Sequence, residues 1–365
     1  MVYRAIGLMS GSSLDGLDIA FVEFQETAGE WRFEILRAAC YPYDDKWKKR
    51  LEEAPALSAR EYLLLHADYG HYLGRQVNAF IEENDIQYQA ALISSHGHTT
   101  FHIPGKKMTA QLGDGAAIAA ETSLPVVTDL RSLDLALGGQ GAPIVPIGEK
   151  LLLKGFDYYL NLGGIANISF RGESYSAFDI CPANRVMNML AKDAGKDYDE
   201  DGQLAATGKI NEQLLEKLNA FDYYKQAFPK SLANDFGTET IYPVIKETGL
   251  SIPDALATYV EHIVVQIIRA IRVFQHPTPG TQHLKLLVTG GGAMNKWLVS
   301  SLEKALNAQQ IEVLVPDPLL INFKEAMVMA FIGVLRWRQE YNVLSSVTGS
   351  SRDNIGGALW TGQEA

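Results

Sequence analysis

Two cysteines, Cys40 and Cys181, are all that 365 residues contain. A pair of thiols builds neither a disulfide framework nor a cysteine-rich zinc site, so a reducing compartment is expected. The chain also lacks any long Lys/Arg run. Its 32 basic residues stand against 43 acidic ones, a formal net charge of −11, and without a basic face neither nucleic acid nor an anionic membrane is an expected partner. An anionic small molecule stays open, since a local site can be positive on an acidic protein. No apolar stretch reaches the ~18 residues of a spanning helix, and the run Ala326–Leu335 stops at Arg336. The opening MVYRAIGLMS has too short an apolar run for a signal peptide and leads into Asp15 and Asp18, so the expected location is cytoplasmic. Two phosphate-binding signatures are missing as well. No GxxxxGK[ST] occurs, and Gly290-Gly291-Gly292 fails the GxGxxG spacing, which excludes a P-loop and argues against a dinucleotide fold.

What remains is an ordinary globular composition, 47% hydrophobic and 21% charged, long enough for two cores. Tyr3–Met9, Leu17–Phe24 and Trp31–Ala39 predict an antiparallel meander. A helix is predicted from Ser58 to about Glu83, opened by a Ser58/Glu61 capping box. Ala90–Ser95 predicts a strand ending in His96-Gly97-His98. Residues 135–148 carry no charge and cluster Gly138, Gly139 and Gly141, the composition of a buried crossover. Tyr158–Leu162, Gly163-Gly164 and Ile165–Phe170 predict a second glycine-tipped hairpin. Leu284–Thr289, the GGG turn and Lys296–Asn307 predict a strand–turn–helix, and Phe323–Tyr341 a long helix. Two glycine hairpins near the starts of two halves suggest two related α/β lobes.

Glycine at a hairpin tip lets backbone N–H groups approach a ligand, and several together make an anion-binding concavity. Gly11–Asp18 is such a candidate, with the hydroxyls of Ser10, Ser12 and Ser13 as further donors and Asp15 or Asp18 near a metal; a plain tight turn is the competing reading. His96, His98 and His102 could present imidazoles to a metal, but no carboxylate follows until Asp114, and a hydrogen-bonding or substrate-contacting role is preferred, so no metal-ligating set is assigned. Asp179 is either the N-cap of a helix beginning near Pro182 or a carboxylate able to take a proton. Glu325 either compensates a helix dipole or lines a site.

Taken in order, several runs resemble the anhydro-N-acetylmuramic acid kinase family: GLMSGSSLDGLD (Gly7–Asp18), SHGHTTFH (Ser95–His102), QLGDG (Gln111–Gly115), TDLR (Thr128–Arg131), LGGQGAPIVP (Leu137–Pro146), NLGGIANIS (Asn161–Ser169), FDICPAN (Phe178–Asn184), PKS (Pro229–Ser231), GGGAMN (Gly290–Asn295) and VTG (Val347–Gly349). The match spans nearly the whole chain. Departures are Ser12 for a usual threonine, Cys181 and Ala183 for two glycines, Asn188 for an aspartate, His98 for a glutamine, and Leu232–Phe236, which lacks the usual glycine and glutamate.

The resemblance implies an α/β fold of the two-lobed, actin-like (ribonuclease H-like) class with an ATP cleft, divided here as 1–130 plus 345–365 and 131–344. It implies ATP and Mg2+ as cofactors, and opening of 1,6-anhydro-N-acetylmuramic acid by water with phosphorylation of O6, in peptidoglycan recycling. The implied catalytic base is Asp179. The nucleotide falls to Gly11, Ser12, Ser13, Leu14, Asp15, Gly16, Leu17, Asp18, Gly163, Gly164, Gly290, Gly291 and Gly292. The sugar falls to His96, Arg131, Asn184 and Glu325. A homodimer is a further expectation. The alternatives are an ATP-binding chaperone or regulator, and a kinase for a different sugar, on the same fold.

Overall fold

The structure is a computed structural model that describes residues 1–11, 13–172, 175–227, 230–232, 235–274 and 284–362. Ser12, one of the expected phosphate ligands, lies outside the described residues, as do Pro229, Ala233 and Asn234. The described strands are β1 (Val2–Ser10), β2 (Gly16–Thr27), β3 (Glu30–Pro42), β4 (Leu92–Ile103), β5 (Met108–Leu112), β6 (Val126–Thr128), β7 (Tyr158–Leu162), β8 (Ile165–Arg171), β9 (Tyr175–Pro182), β10 (Leu284–Thr289), β11 (Ile311–Leu314) and β12 (Ala358–Trp360).

They fall into two compact units, Met1–Lys154 with Phe323–Ala365, and Gly155–Asn322. The first sheet runs β12-β6-β4-β1-β2-β3, with β5 paired to β4; the second runs β11-β10-β7-β8-β9. One plan underlies both. Three antiparallel strands follow each other along the chain, and two later strands lie parallel to the first of them. This mixed α/β order, repeated once per unit, is the ribonuclease H-like plan that the resemblance implies.

The unit boundaries lie at 154/155 and 322/323, where the sequence reading divides the chain at 131 and 345. Two buried acids explain why residues 131–154 go with the first unit. Buried Asp134 accepts from Thr348 Oγ1 (2.8 Å), Asn354 Nδ2 (2.9 Å) and the Gly141 N–H (2.8 Å). Buried Glu149 pairs with Lys324 Nζ at 3.1 Å.

The helix Pro318–Trp337 begins earlier than predicted. By length and composition it could cross a membrane, but 67% of its apolar window is buried inside the structure. Ala326–Met329, Phe331 and Val334 are all at most 1% exposed, and Phe331 stacks edge-on against Trp31 at 5.0 Å. This is a core helix. Its approach to β1 is close enough that a Cβ on Gly7 would stand 1.8 Å from the Ala326 carbonyl oxygen. The helix Ala59–Glu83 opens with the predicted capping box. The second unit packs Ile168, Ile180, Val264, Ile267 and Leu298 into one core under the helices Asn184–Asp193, Ile252–Phe274 and Lys296–Asn307.

Gly7→Ala should therefore destabilise the first unit by about 3 kcal/mol or more, at the upper end of overpacking effects, because a helix backbone cannot step aside as a side chain can. Gly105→Ala, which meets nothing within 4 Å, should be nearly neutral. Urea unfolding of both variants checks the pair.

Candidate active site

In the first unit the candidates gather around the end of the β1–β2 hairpin. Asp18 lies in β2, opposite Met9 and Cys40. Burial pushes its carboxyl up to about 6, with the charges of Glu325 and Asp15 adding to the effect and a hydrogen bond from the Cys40 thiol opposing it. Partial burial, reinforced by the same contact with Asp18, pushes the Cys40 thiol up to about 12. Glu325 is not a helix-dipole partner: it sits two turns into its helix, whose first turn holds no acid, and its charge acts on both Asp18 and Arg131.

Arg131 holds a fixed geometry. Its Nε donates to His96 Nε2 at 2.9 Å and its Nη1 to the Gly141 carbonyl at 2.6 Å. An arginine has no acceptor to offer, so His96 Nε2 must be unprotonated and the ring proton sits on Nδ1, donated to the Gly97 carbonyl at 2.9 Å. Burial and the guanidinium depress His96 to about 3, which keeps it neutral. The strand does not end at His96-Gly97-His98 as predicted. β4 continues to Ile103 because β5 pairs with it. A bulge interrupts it instead: Leu8 faces Ser95 and Ser10 faces His98, so His96 and Gly97 share one partner, and Gly97 adopts φ +71°. Beside the bulge is a cavity of about 100 Å3, lined among others by His96, Gln111, Asp114 and Trp360. Gln111 Oε1 is buried there without a donor among the described residues.

The three histidines do not converge. His98 Nδ1 meets Ser10 Oγ at 3.0 Å and His102 Nδ1 meets Thr109 Oγ1 at 3.1 Å. Ser10 is 3% exposed and also accepts from Tyr43 at 2.8 Å, so its hydroxyl is committed to the core and is not the ligand donor that the sequence suggests. Asp15 is exposed; Ser13, Leu14, Gly16 and Leu17 complete the turn and the start of β2.

In the second unit, Asp179 lies inside β9. The N-cap position of the helix Asn184–Asp193 is Ala183, which makes no side-chain cap bond, so the capping role fails. A second bulge sits here. Asn167 pairs with Asp179 and Ala166 with Cys181, leaving Ile180 as the extra residue, a feature that re-aims a neighbouring side chain. The Asp179 backbone is held on both sides: its N–H donates to the Lys230 carbonyl at 3.0 Å, and its carbonyl accepts from Tyr223 OH at 2.6 Å. Oδ2 accepts the Leu232 N–H at 2.9 Å, and Oδ1 has no partner among the described residues. Burial pushes this carboxyl up to about 6, against the pull of the Leu232 bond. Tyr223 and Leu232 are far from Asp179 in sequence, and no local pattern points to them.

Asn184 joins the two glycine turns of this unit. Its Nδ2 donates to the Leu162 carbonyl at 2.8 Å, and a Cβ on Gly292 would lie 2.9 Å from its Oδ1. The Asn184 and Ala183 N–H groups bind the Gly163 and Gly164 carbonyls at 3.1 and 2.8 Å. Gly290, with φ +82° and a Cβ position 2.5 Å from Asn161 Oδ1, is required by the fold, whereas Gly291 would meet only Asn184 Nδ2 at 3.5 Å. Cys181 and Ala183, which replace two glycines of the motif, are both fully buried.

The sequence model of the anhydro-N-acetylmuramic acid kinases matches residues 3–362. The chain belongs to that family. Curated anhydro-N-acetylmuramic acid kinases are similar along the full length: one from Photobacterium profundum is 33% identical, covering 98% of this chain and 99% of its own, and one from Paramagnetospirillum magneticum is 32% identical, covering 97% and 98%. Another from Zymomonas mobilis is 35% identical over 83% and 84%. Among solved structures, an activator of 2-hydroxyisocaproyl-CoA dehydratase from Clostridium difficile and a xylulose kinase from Lactobacillus acidophilus align over 92% and 91% of this chain, with TM-scores of 0.45 and 0.44 at 14% and 10% identity, and over 97% and 89% of their own.

In this family member, Glu325→Gln should lower the Asp18 pKa from about 6, because it removes a negative neighbour that disfavours the carboxylate. Carbon-13 NMR titration of the aspartate carboxyls measures the shift; an unchanged Asp18 would separate the two groups.

Proposed function

We propose that the protein is an ATP-dependent kinase that opens 1,6-anhydro-N-acetylmuramic acid with water and phosphorylates O6, giving N-acetylmuramic acid 6-phosphate for reuse of cell-wall sugars in the cytoplasm. Family membership along the whole chain supports the substrate. The observation that carries the chemistry is Asp179: a part-buried carboxylate with a clamped backbone and one oxygen without a partner among the described residues.

In this reading Asp179 Oδ1 orients a water and takes its proton as the water oxygen bonds to the anomeric carbon. The bond from that carbon to O6 breaks, and O6 keeps the electron pair. O6 then bonds to the γ-phosphorus, and ADP leaves. Arg131, fixed by His96 and Gly141, offers positive charge to the lactyl carboxylate or to a phosphate. Asn184 and Glu325 contribute hydrogen bonds to the sugar, while His96, whose two ring nitrogens are taken by Gly97 and Arg131, acts on it through Arg131. The turn Gly11–Asp18 and the glycines Gly163, Gly164 and Gly290–Gly292 hold ATP. Asp18 fits a role beside Mg2+, because Asp15 and Glu325 already place negative charge around it and magnesium is usually held by one or two carboxylates together with phosphate oxygens. When bound, the metal offsets charge on the transferring phosphoryl group.

A chaperone or regulator on this fold would have no use for a clamped, partly unpaired carboxylate at Asp179. Asp179→Asn should leave folding and ATP binding intact and slow turnover of the anhydro-sugar about a hundred- to ten-thousand-fold. Near wild-type turnover by the folded variant would remove Asp179 from the mechanism. For the wild-type enzyme, kcat/KM should fall as pH drops through about 6, since the base must be ionised and its pKa is raised to that range.

Cβ positions at Gly11 and Gly291 meet nothing closer than 3.6 and 3.5 Å, so a side chain added at either does not begin in a clash with the described residues. A weakened ATP affinity in Gly11→Val and Gly291→Val, measured by calorimetry on folded protein, would report a clash with phosphates; wild-type affinity in both would sink the assignment of these turns.

A further inference from the structure

Arg185 is the second residue of the helix Asn184–Asp193, and its side chain lies over the tip of the β7–β8 hairpin. A Cβ on Gly164 would stand 3.7 Å from its Nε and 4.0 Å from its Nη2. Nε is shut off from water and has no acceptor. No ion pair or hydrogen bond joins the guanidinium to any described residue. A buried arginine nitrogen without an acceptor is costly, and such a group in a native fold calls for an explanation.

The hairpin tip is open in the same sense. The carbonyls of Gly163 and Gly164 are taken by the N–H groups of Asn184, Ala183 and Arg185 (3.1, 2.8 and 3.4 Å), while neither glycine's own N–H donates to a described residue. Nor does the backbone demand glycine here. Neither residue has a positive φ; a Cβ on Gly164 would meet nothing closer than 3.7 Å, while one on Gly163 would press at 3.3 Å on the Ile165 carbonyl oxygen. At Gly164 the missing side chain leaves space rather than relieving strain. Unused donors on Gly164 and Arg185 thus lie side by side, with the unused N–H of Gly163 on the adjoining residue. The ligand that satisfies them is an anion with several oxygens, and the planar guanidinium fork suits phosphate.

We infer that Arg185 is a nucleotide-binding residue that grips the terminal phosphates of ATP from the helix behind the Gly163-Gly164 turn. This rests on the kinase reading above. It assigns a role to a side chain outside the glycine turns, and it requires the charge and the fork together, so lysine replaces it only in part.

The test is calorimetry of ATP, ADP and AMP on the full-length wild type and on Arg185→Ala and Arg185→Lys, with steady-state kinetics. Arg185→Ala should weaken ATP and ADP at least tenfold, raise the KM for ATP correspondingly, and leave AMP affinity and the KM for the anhydro-sugar unchanged. Arg185→Lys should recover part of the loss. A merely structural arginine would weaken all three nucleotides alike or none, and either result overturns the inference. Should Arg185→Ala fail to fold, Arg185→Gln carries the same comparison. A wild type that binds ATP and turns over the sugar, beside an Arg185→Ala variant that does both equally well, rejects Arg185 alone. A wild type that binds no ATP rejects the kinase reading and this inference with it.

Discussion

Burying a carboxylate is the most demanding constraint in both units, and how each one is treated separates scaffold from site. A buried acid must be paired, hydrogen-bonded or neutralised. Asp134 is fully enclosed and receives three donors, which ties the glycine-rich crossover to Thr348 and Asn354. Glu149 is enclosed with Lys324. Asp18 and Asp179 are treated differently. Both are only part-buried, each receives one hydrogen bond from a residue distant in sequence, and neither has a cation within ion-pairing distance among the described residues. Both are held near pH 6 by their surroundings. The paired acids hold their surroundings together, whereas Asp18 and Asp179 keep hydrogen-bonding capacity that no described residue uses.

Backbone irregularity supplies the aim. His96 and Asp179 each sit at a bulge, one between β1 and β4 and the other between β8 and β9. In a regular strand the alternation of side chains would fix the face of each residue. An extra residue breaks that alternation at one point while the flanking pairs keep their register, so a polar group can be redirected without unravelling the sheet.

Much of this was legible in the sequence, and the limits were physical. The three-strand meander, both glycine hairpins and the Ser58 capping box carry their own local signals, and the strands and helix follow them. β5 and β12 are short, and their pairing depends on neighbours that only the tertiary fold provides. The bulges leave no mark, because one extra residue in an apolar strand reads as more strand. The competing roles of Asp179 and Glu325 could not be separated either: a cap and a site acid have the same composition, and only position in the element distinguishes them. The clamps on Asp179 come from Tyr223 and Leu232, supplied by chain folding back from the helical region.

Cys40 illustrates what proximity to an acid does to a neighbour. Its thiol is exposed, which would ordinarily mark it as the residue most open to oxidants and alkylating agents in a chain whose other cysteine is buried. Yet its proton is shared with Asp18, and its pKa of about 12 leaves almost no thiolate at neutral pH. The nucleophile that such reagents attack is therefore scarce. Partial burial and the adjacent acid together keep the sulfur chemically quiet, so β3 carries a cysteine beside Asp18 with little of the usual redox liability.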